Sequence, residues 1–154
     1  MKNAFFLIAA VLFGLGFLIL SSALSPAQAE DIESIWLTTG EWSRHTDDDK
    51  HHYRQNNTGI GVQFVLNEDQ SVVAGYYHNS IHHETVYGGF AYTPLHIGPT
   101  KFGVVGAMAT GYYQYLPAVP IGGLFASCEY EKVGVNFMWL PQVVVAIQLR
   151  FKIY

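Results

Sequence analysis

Seven histidines are the side chains best able to exchange protons near neutral pH, and they are unevenly spread: His45, His51, His52, His78, His82, His83 and His96. Imidazole also binds zinc, but zinc sites pair their ligands at characteristic spacings, and none occurs here. His82 and His83 are adjacent, so on a strand they would point to opposite faces. Asp47-Asp48-Asp49-Lys50 lacks the alternating spacing and the glycine of a calcium loop and reads as a solvated loop. No metal site and no cofactor is expected. Asn79-Ser80 is a turn-forming pair, because both side chains hydrogen-bond readily to nearby backbone. Cys128 is the one cysteine, so no disulfide within the chain is available.

What positions these groups follows from the rest of the chain. Lys2 gives a short basic start, Ala4 to Leu20 is an apolar run, and Ala27-Gln28-Ala29 fits the small-x-small pattern of a signal-peptidase site. Residues 1–29 are therefore expected to be a cleaved signal peptide, with a retained membrane anchor as the alternative. Residues 30–154 then form one domain. Without Lys2 it carries seven Lys and Arg against twelve Asp and Glu, a net charge of 7 − 12 = −5. This balance argues against nucleic acid as a partner, since phosphate neutralisation needs clustered basic residues.

Half of all residues are hydrophobic and 13% are charged, yet no apolar run after Leu20 is long enough for a membrane helix. The pattern instead gives eight short segments: Leu37 to His45, Gly59 to Leu66, Ser71 to Asn79, Glu84 to Thr93, Lys101 to Tyr112, Ile121 to Cys128, Val133 to Leu140 and Val143 to Tyr154. In the second, Ile60, Val62, Phe64 and Leu66 share a face opposite Gly61 and Gln63. In the last, Val145, Ile147, Leu149, Phe151 and Ile153 lie opposite Ala146, Gln148, Arg150 and Lys152. A strict period of two makes strands, not helices.

An even number of short strands with alternating polarity predicts an all-β fold: a single eight-stranded antiparallel up-and-down β-barrel of the bacterial outer-membrane type. Closure is required in lipid, where an unpaired sheet edge costs several kcal/mol per backbone group. Tyr76, Tyr77, Tyr87, Tyr92, Tyr112, Tyr113, Tyr115, Tyr130 and Trp139 fall near segment ends and suit interfacial girdles. A soluble lipocalin-like carrier with tyrosines in its core is the alternative. With the N-terminus inside, 67–70, 94–100 and 129–132 become periplasmic turns. Residues 46–57, 80–83, 113–120 and 141–142 become surface loops, which collect every histidine but His96 at the outer end. Pro117 and Pro120 cannot donate to a ladder and must sit at a strand end or a gap. The many glycines either keep the interior open or ease tight curvature.

Several stretches resemble the lipid A palmitoyltransferase family. Tyr115-Leu116-Pro117, Leu124-Phe125-Ala126-Ser127 with Tyr130, and Val133 through Pro141 are similar to that family's last third in order and spacing. Ala74 through Ser80 resembles the segment with its catalytic Asp-Ser pair, and Leu149 through Tyr154 resembles its terminal strand. Ile32, Ile35 and Trp36 are spaced like a short remnant of its N-terminal amphipathic helix.

The resemblance implies an outer-membrane enzyme that moves an acyl chain from a phospholipid to lipid A, as a single copy with those two lipids as partners. Ser80 matches the family's serine, Asn79 stands where the family has aspartate, and His45 is the one histidine of the first segment. Acyl transfer needs a hydroxyl, a general base and donors to an oxyanion. Ser80 with His45, His78 or His82 would supply the first two, and the Asn79 amide the third. In the resembling family a gap in the wall lets lipid enter sideways, a role for the stretch around Pro117 and Pro120. A non-catalytic barrel that binds lipid or has a structural role is the second reading.

Overall fold

The computed structural model describes residues 32–46, 52–112 and 116–154. The expected signal peptide, the Asp47–Asp49 run, His51, Tyr113 and Tyr115 lie outside them. Eight strands run in chain order: β1 (Ser34–His45), β2 (Asn56–Val65), β3 (Gln70–His78), β4 (Glu84–Ile97), β5 (Thr100–Ala109), β6 (Val119–Tyr130), β7 (Val133–Leu140) and β8 (Val144–Lys152). Each pairs antiparallel with the next, and β8 pairs with β1, which closes the barrel. The short connections after β2, β4 and β6 lie at one end with the start of β1 and the end of β8, and the connections after β1, β3, β5 and β7 lie at the other.

Alternation sorts the side chains. Leu37, Ile60, Val86, Val104, Leu124, Val135 and Leu149 are exposed on the outer surface, and Val72 adds the same face of β3. Every strand thus contributes to an apolar exterior, while the buried set is rich in polar groups. That inversion of a soluble protein is the arrangement lipid demands.

Three sequence expectations are corrected. Ile35 and Trp36 are not on one helical face: Ser34 onward is strand, so Ile35 points outward and Trp36, 1% exposed, points inward. Three apolar residues are too few to fix a helical period when both neighbouring strands offer pairing. Residues 94–97 are not turn: β4 continues to Ile97 past a register shift between Tyr92 and Leu95. Pro94 sits in that irregularity, where a missing N–H costs no ladder bond. The tyrosines are not all girdle residues. Tyr76, Tyr92 and Tyr130 face outward, but Tyr77, Tyr87 and Tyr112 turn into the barrel.

Glycine makes room for one of them. A Cβ on Gly61 would stand 2.7 Å from the Tyr87 hydroxyl, and one on Gly75 would stand 2.8 Å from its ring. The space vacated by β2 and β3 is filled by an aromatic ring from β4.

A β-bulge in β1 sets the phase of everything after it. Pairing with both β2 and β8 slips between Thr38 and Glu41. Ser34, Trp36 and Thr38 point inward before the slip, and Glu41, Ser43 and His45 after it. Gly40 occupies the slip, where an added Cβ would stand 2.1 Å from the Asn57 carbonyl oxygen and 2.4 Å from the Gly59 nitrogen. Gly40→Val is therefore expected to destabilise the barrel by about 1–3 kcal/mol through overpacking. A lower urea midpoint for the lipid-reconstituted variant checks this, and an unchanged midpoint would show that the bulge tolerates a side chain.

Candidate functional site

The barrel interior has two storeys. The lower one, near the start of β1 and the end of β8, is packed with a polar network. Arg150, fully buried, lies over the Trp36 ring at 4.2 Å, pairs with Glu129 and donates to Gln63 Oε1 at 3.1 Å. Gln63 Nε2 donates to Ser71 Oγ at 2.9 Å. Asn136 Nδ2 donates to Gln63 Oε1 at 3.1 Å and Gln148 Oε1 at 3.2 Å, and Asn136 Oδ1 accepts from Ser127 Oγ at 2.9 Å. Gln148 Nε2 reaches the Thr39 carbonyl at 3.0 Å. Six strands are tied together across the lumen.

Above this floor lies a cavity of about 80 Å³, room for a handful of water-sized groups. Val73, Val105, Ile121, Phe125 and Met138 give it apolar walls, and Glu41, Tyr77 and Tyr87 give it polar ones. Tyr77 and Tyr87 stand with ring centroids 5.6 Å apart, and the Tyr77 and Tyr112 hydroxyls are 2.6 Å apart. Tyr112 lies beyond the end of β5. Burial pushes its hydroxyl up to about 12, against an opposing pull from the Tyr77 hydrogen bond. It therefore stays protonated at neutral pH.

The sequence candidates sit at the rim that carries the connections after β1, β3, β5 and β7. Asn79 is wholly buried, and its amide holds the loop between β3 and β4. Nδ2 donates to Thr85 Oγ1 and the Gly111 carbonyl, each at 3.0 Å, while Oδ1 accepts from the Ile81 and His83 amides at 3.1 and 2.9 Å. Both amide hydrogens and both acceptor positions are thus occupied. Donation to an oxyanion would require one of these bonds to break. Ser80, 5% exposed, follows directly, and its carbonyl accepts from the Arg54 amide at 2.8 Å. His45 points inward at the top of β1, stacked on Tyr53 at 4.1 Å. Residues 53 and 54 therefore link His45 to the Ser80 loop on one side of the mouth.

The other histidines are dispersed. His78 faces outward, 3.9 Å from Glu84, and His82 occupies a left-handed turn position with φ 67°. His96 stands at the opposite end, paired with Asp69 at 3.0 Å and hydrogen-bonded to the Thr93 carbonyl. Among the described residues, no three His, Cys, Asp or Glu side chains converge on a point where a metal ion would sit.

One feature of the wall bears on access. The β6–β7 ladder ends at Leu124 opposite Trp139, whereas β5 pairs with β6 up to Val119. Beyond Gly123, which still lies against the β7 backbone at Trp139 and Leu140, Val119–Gly122 form a part of β6 with a ladder on one side only among the described residues, and Pro120 lies within that stretch.

Sequence reasoning missed Glu41, Tyr77 and Tyr87 as a group. Their convergence depends on the bulge and on the glycine gaps, and the one local signal was Gly40 immediately before Glu41.

No known protein-family profile matches the chain, and no curated protein matches it. Similar folds occur among solved structures. A de novo designed transmembrane β-barrel superposes with a TM-score of 0.57 at 15% identity, covering 78% of this chain and 95% of the designed one. The solution structure of the designed barrel TMB2.3 superposes with a TM-score of 0.53 at 16% identity, covering 79% and 94%. The fold is that of a closed, eight-stranded transmembrane-type β-barrel.

Proposed function

We propose that the protein is a bacterial outer-membrane enzyme that takes an acyl chain from a phospholipid and transfers it to lipid A, as the resemblance to the lipid A palmitoyltransferases implies. The observation that carries this reading is the one-sided stretch of β6 beside a partly apolar cavity inside an apolar-faced barrel. A lipid tail has a route there from the membrane to the lumen without crossing the rim. The cavity accommodates the end of such a tail, and the remainder would lie along the open flank of β6. In this reading Ser80 supplies the hydroxyl and His45 takes its proton, with a phospholipid and lipid A as partners. Asn79 acts as a positioning residue that fixes the Ser80 loop.

Mass spectrometry of lipid A from cells with and without the protein tests the reading. An added acyl chain that disappears in Ser80→Ala, while the variant keeps its heat-modifiable gel mobility, is the expected result. Lipid A unchanged by the wild-type protein would remove the transfer reaction. A second reading, a barrel that binds lipid without catalysis, is favoured by the Asn79 amide, whose four hydrogen-bonding positions are all engaged within the loop. Recovery in the outer-membrane fraction is expected under both readings, and recovery as a soluble periplasmic protein under neither.

A further inference from the structure

Glu41 has no task in the proposed reaction, and its position is unusual for a barrel that takes only hydrocarbon. The bulge at Gly40 turns it from the lipid face, where unbroken alternation would have put it, into the lumen. There it lines the cavity with Tyr77, Tyr87 and Phe125, and the neutral Asn57 side chain lies beside its carboxyl group. Among the described residues, no basic side chain lines this cavity. Arg150, the buried cation below, is engaged by Glu129, Gln63 and the Trp36 ring.

A carboxyl group that shares a small cavity with Tyr77, Tyr87, Phe125 and apolar side chains, with no basic side chain among the described lining residues, has the composition of a site for an organic cation. Ring faces attract positive charge, and their attraction grows when the ion is desolvated. A single carboxylate is a poor cage for a hard divalent metal, which takes six or more oxygen ligands or keeps several of its waters. The volume of about 80 Å³ equals roughly six times what one water needs. That suits the head of a small alkylammonium ion rather than an inorganic cluster or a sugar.

We infer that the upper lumen binds a small organic ammonium ion, with Glu41 as its counter-charge and Tyr77, Tyr87 and Phe125 as its aromatic walls. The site does not rest on the acyl-transfer reading, because a barrel without that activity offers the same cavity. Occupancy would place a positive charge beside the open flank of β6 and compete there with a lipid tail.

Calorimetric titration of the folded full-length barrel in octyl glucoside, a detergent without an amine, tests the inference with choline as probe. Its uncharged carbon isostere, 3,3-dimethylbutan-1-ol, is titrated in parallel. Saturable one-site binding of choline is expected, with the isostere weaker by about tenfold or more, and Glu41→Gln weakening choline to a similar degree. Equal binding of choline and isostere to the wild-type protein would overturn the inference, as would the absence of saturable binding. This comparison on the wild-type protein stands even if Glu41→Gln fails to fold. Repeating the titration in phosphatidylglycerol bilayers with and without phosphatidylcholine separates two sources of the same chemistry. Weaker choline binding in the presence of phosphatidylcholine assigns the site to the lipid headgroup, and unchanged binding assigns it to the free ion.

Discussion

Arg150→Ala is expected to destabilise the barrel by about 1–3 kcal/mol, because it leaves Gln63 and the part-exposed Glu129 carboxylate without their shared donor. The Arg150 side chain is fully enclosed, and it serves Glu129, Gln63 and the Trp36 ring at once. Removing it leaves the part-exposed Glu129 carboxylate unpaired and opens a cavity against Trp36. Replacing both partners, as in Arg150→Met with Glu129→Leu, is expected to cost far less, within about 1 kcal/mol of wild type. Gln63 Oε1 keeps the Asn136 amide as a donor in that double variant. Urea unfolding from lipid vesicles, followed by tryptophan fluorescence, measures both. A single variant as stable as the wild type would show that the lower network is not what braces the barrel.

On the outer face, Leu149→Arg is expected to cost about 2–4 kcal/mol in the same assay, the penalty for a guanidinium facing hydrocarbon near mid-membrane. Leu149 projects outward from β8 opposite Val135, and both are exposed in the absence of lipid. Tyr130→Arg is the control, because Tyr130 lies at the end of β6, 77% exposed, where the cost falls to about 0–1 kcal/mol. If the two substitutions cost the same small amount, the apolar band is not lipid-facing. The soluble carrier reading would then return.

The strands were legible because period-two alternation is a local property. Gln63, Gln148 and Arg150 opposite Ile60, Val62, Ile147 and Leu149 already separate lumen from exterior. The grouping of loops at two ends was legible for the same reason, once the strand number was even. What the residues did not disclose is phase. One slipped residue at Gly40 reverses the face of Glu41, Ser43 and His45 relative to unbroken alternation, and nothing in their types announces it. Tyr77 and Tyr87 read as girdle residues because a tyrosine near a strand end suits either side of the wall. Only the missing side chains of Gly61 and Gly75 admit Tyr87 inward. Asn79 and Ser80 were singled out by the resemblance of their segment to the acyltransferase family, with turn formation as the plainer role. The partners of Asn79, Thr85 and Gly111, come from two other parts of the chain that pairing alone brings near.

The closing pair of strands carries a kinetic consequence. Seven of the eight pairings join consecutive strands through connections that can form as hairpins, but Thr39 and Leu149 are 110 positions apart. The entropy of joining such distant segments has to be met before their contacts repay it. The seam between first and last strands should therefore zip up late in assembly. Its final stitches are the Ile35 amide to the Tyr154 carbonyl and the Ile153 amide to the Ile35 carbonyl, each at 2.9 Å. A chain trimmed by its last two residues would keep the ladder from Trp36–Lys152 to His45–Val144 but lose these end bonds, and its seam would close more slowly.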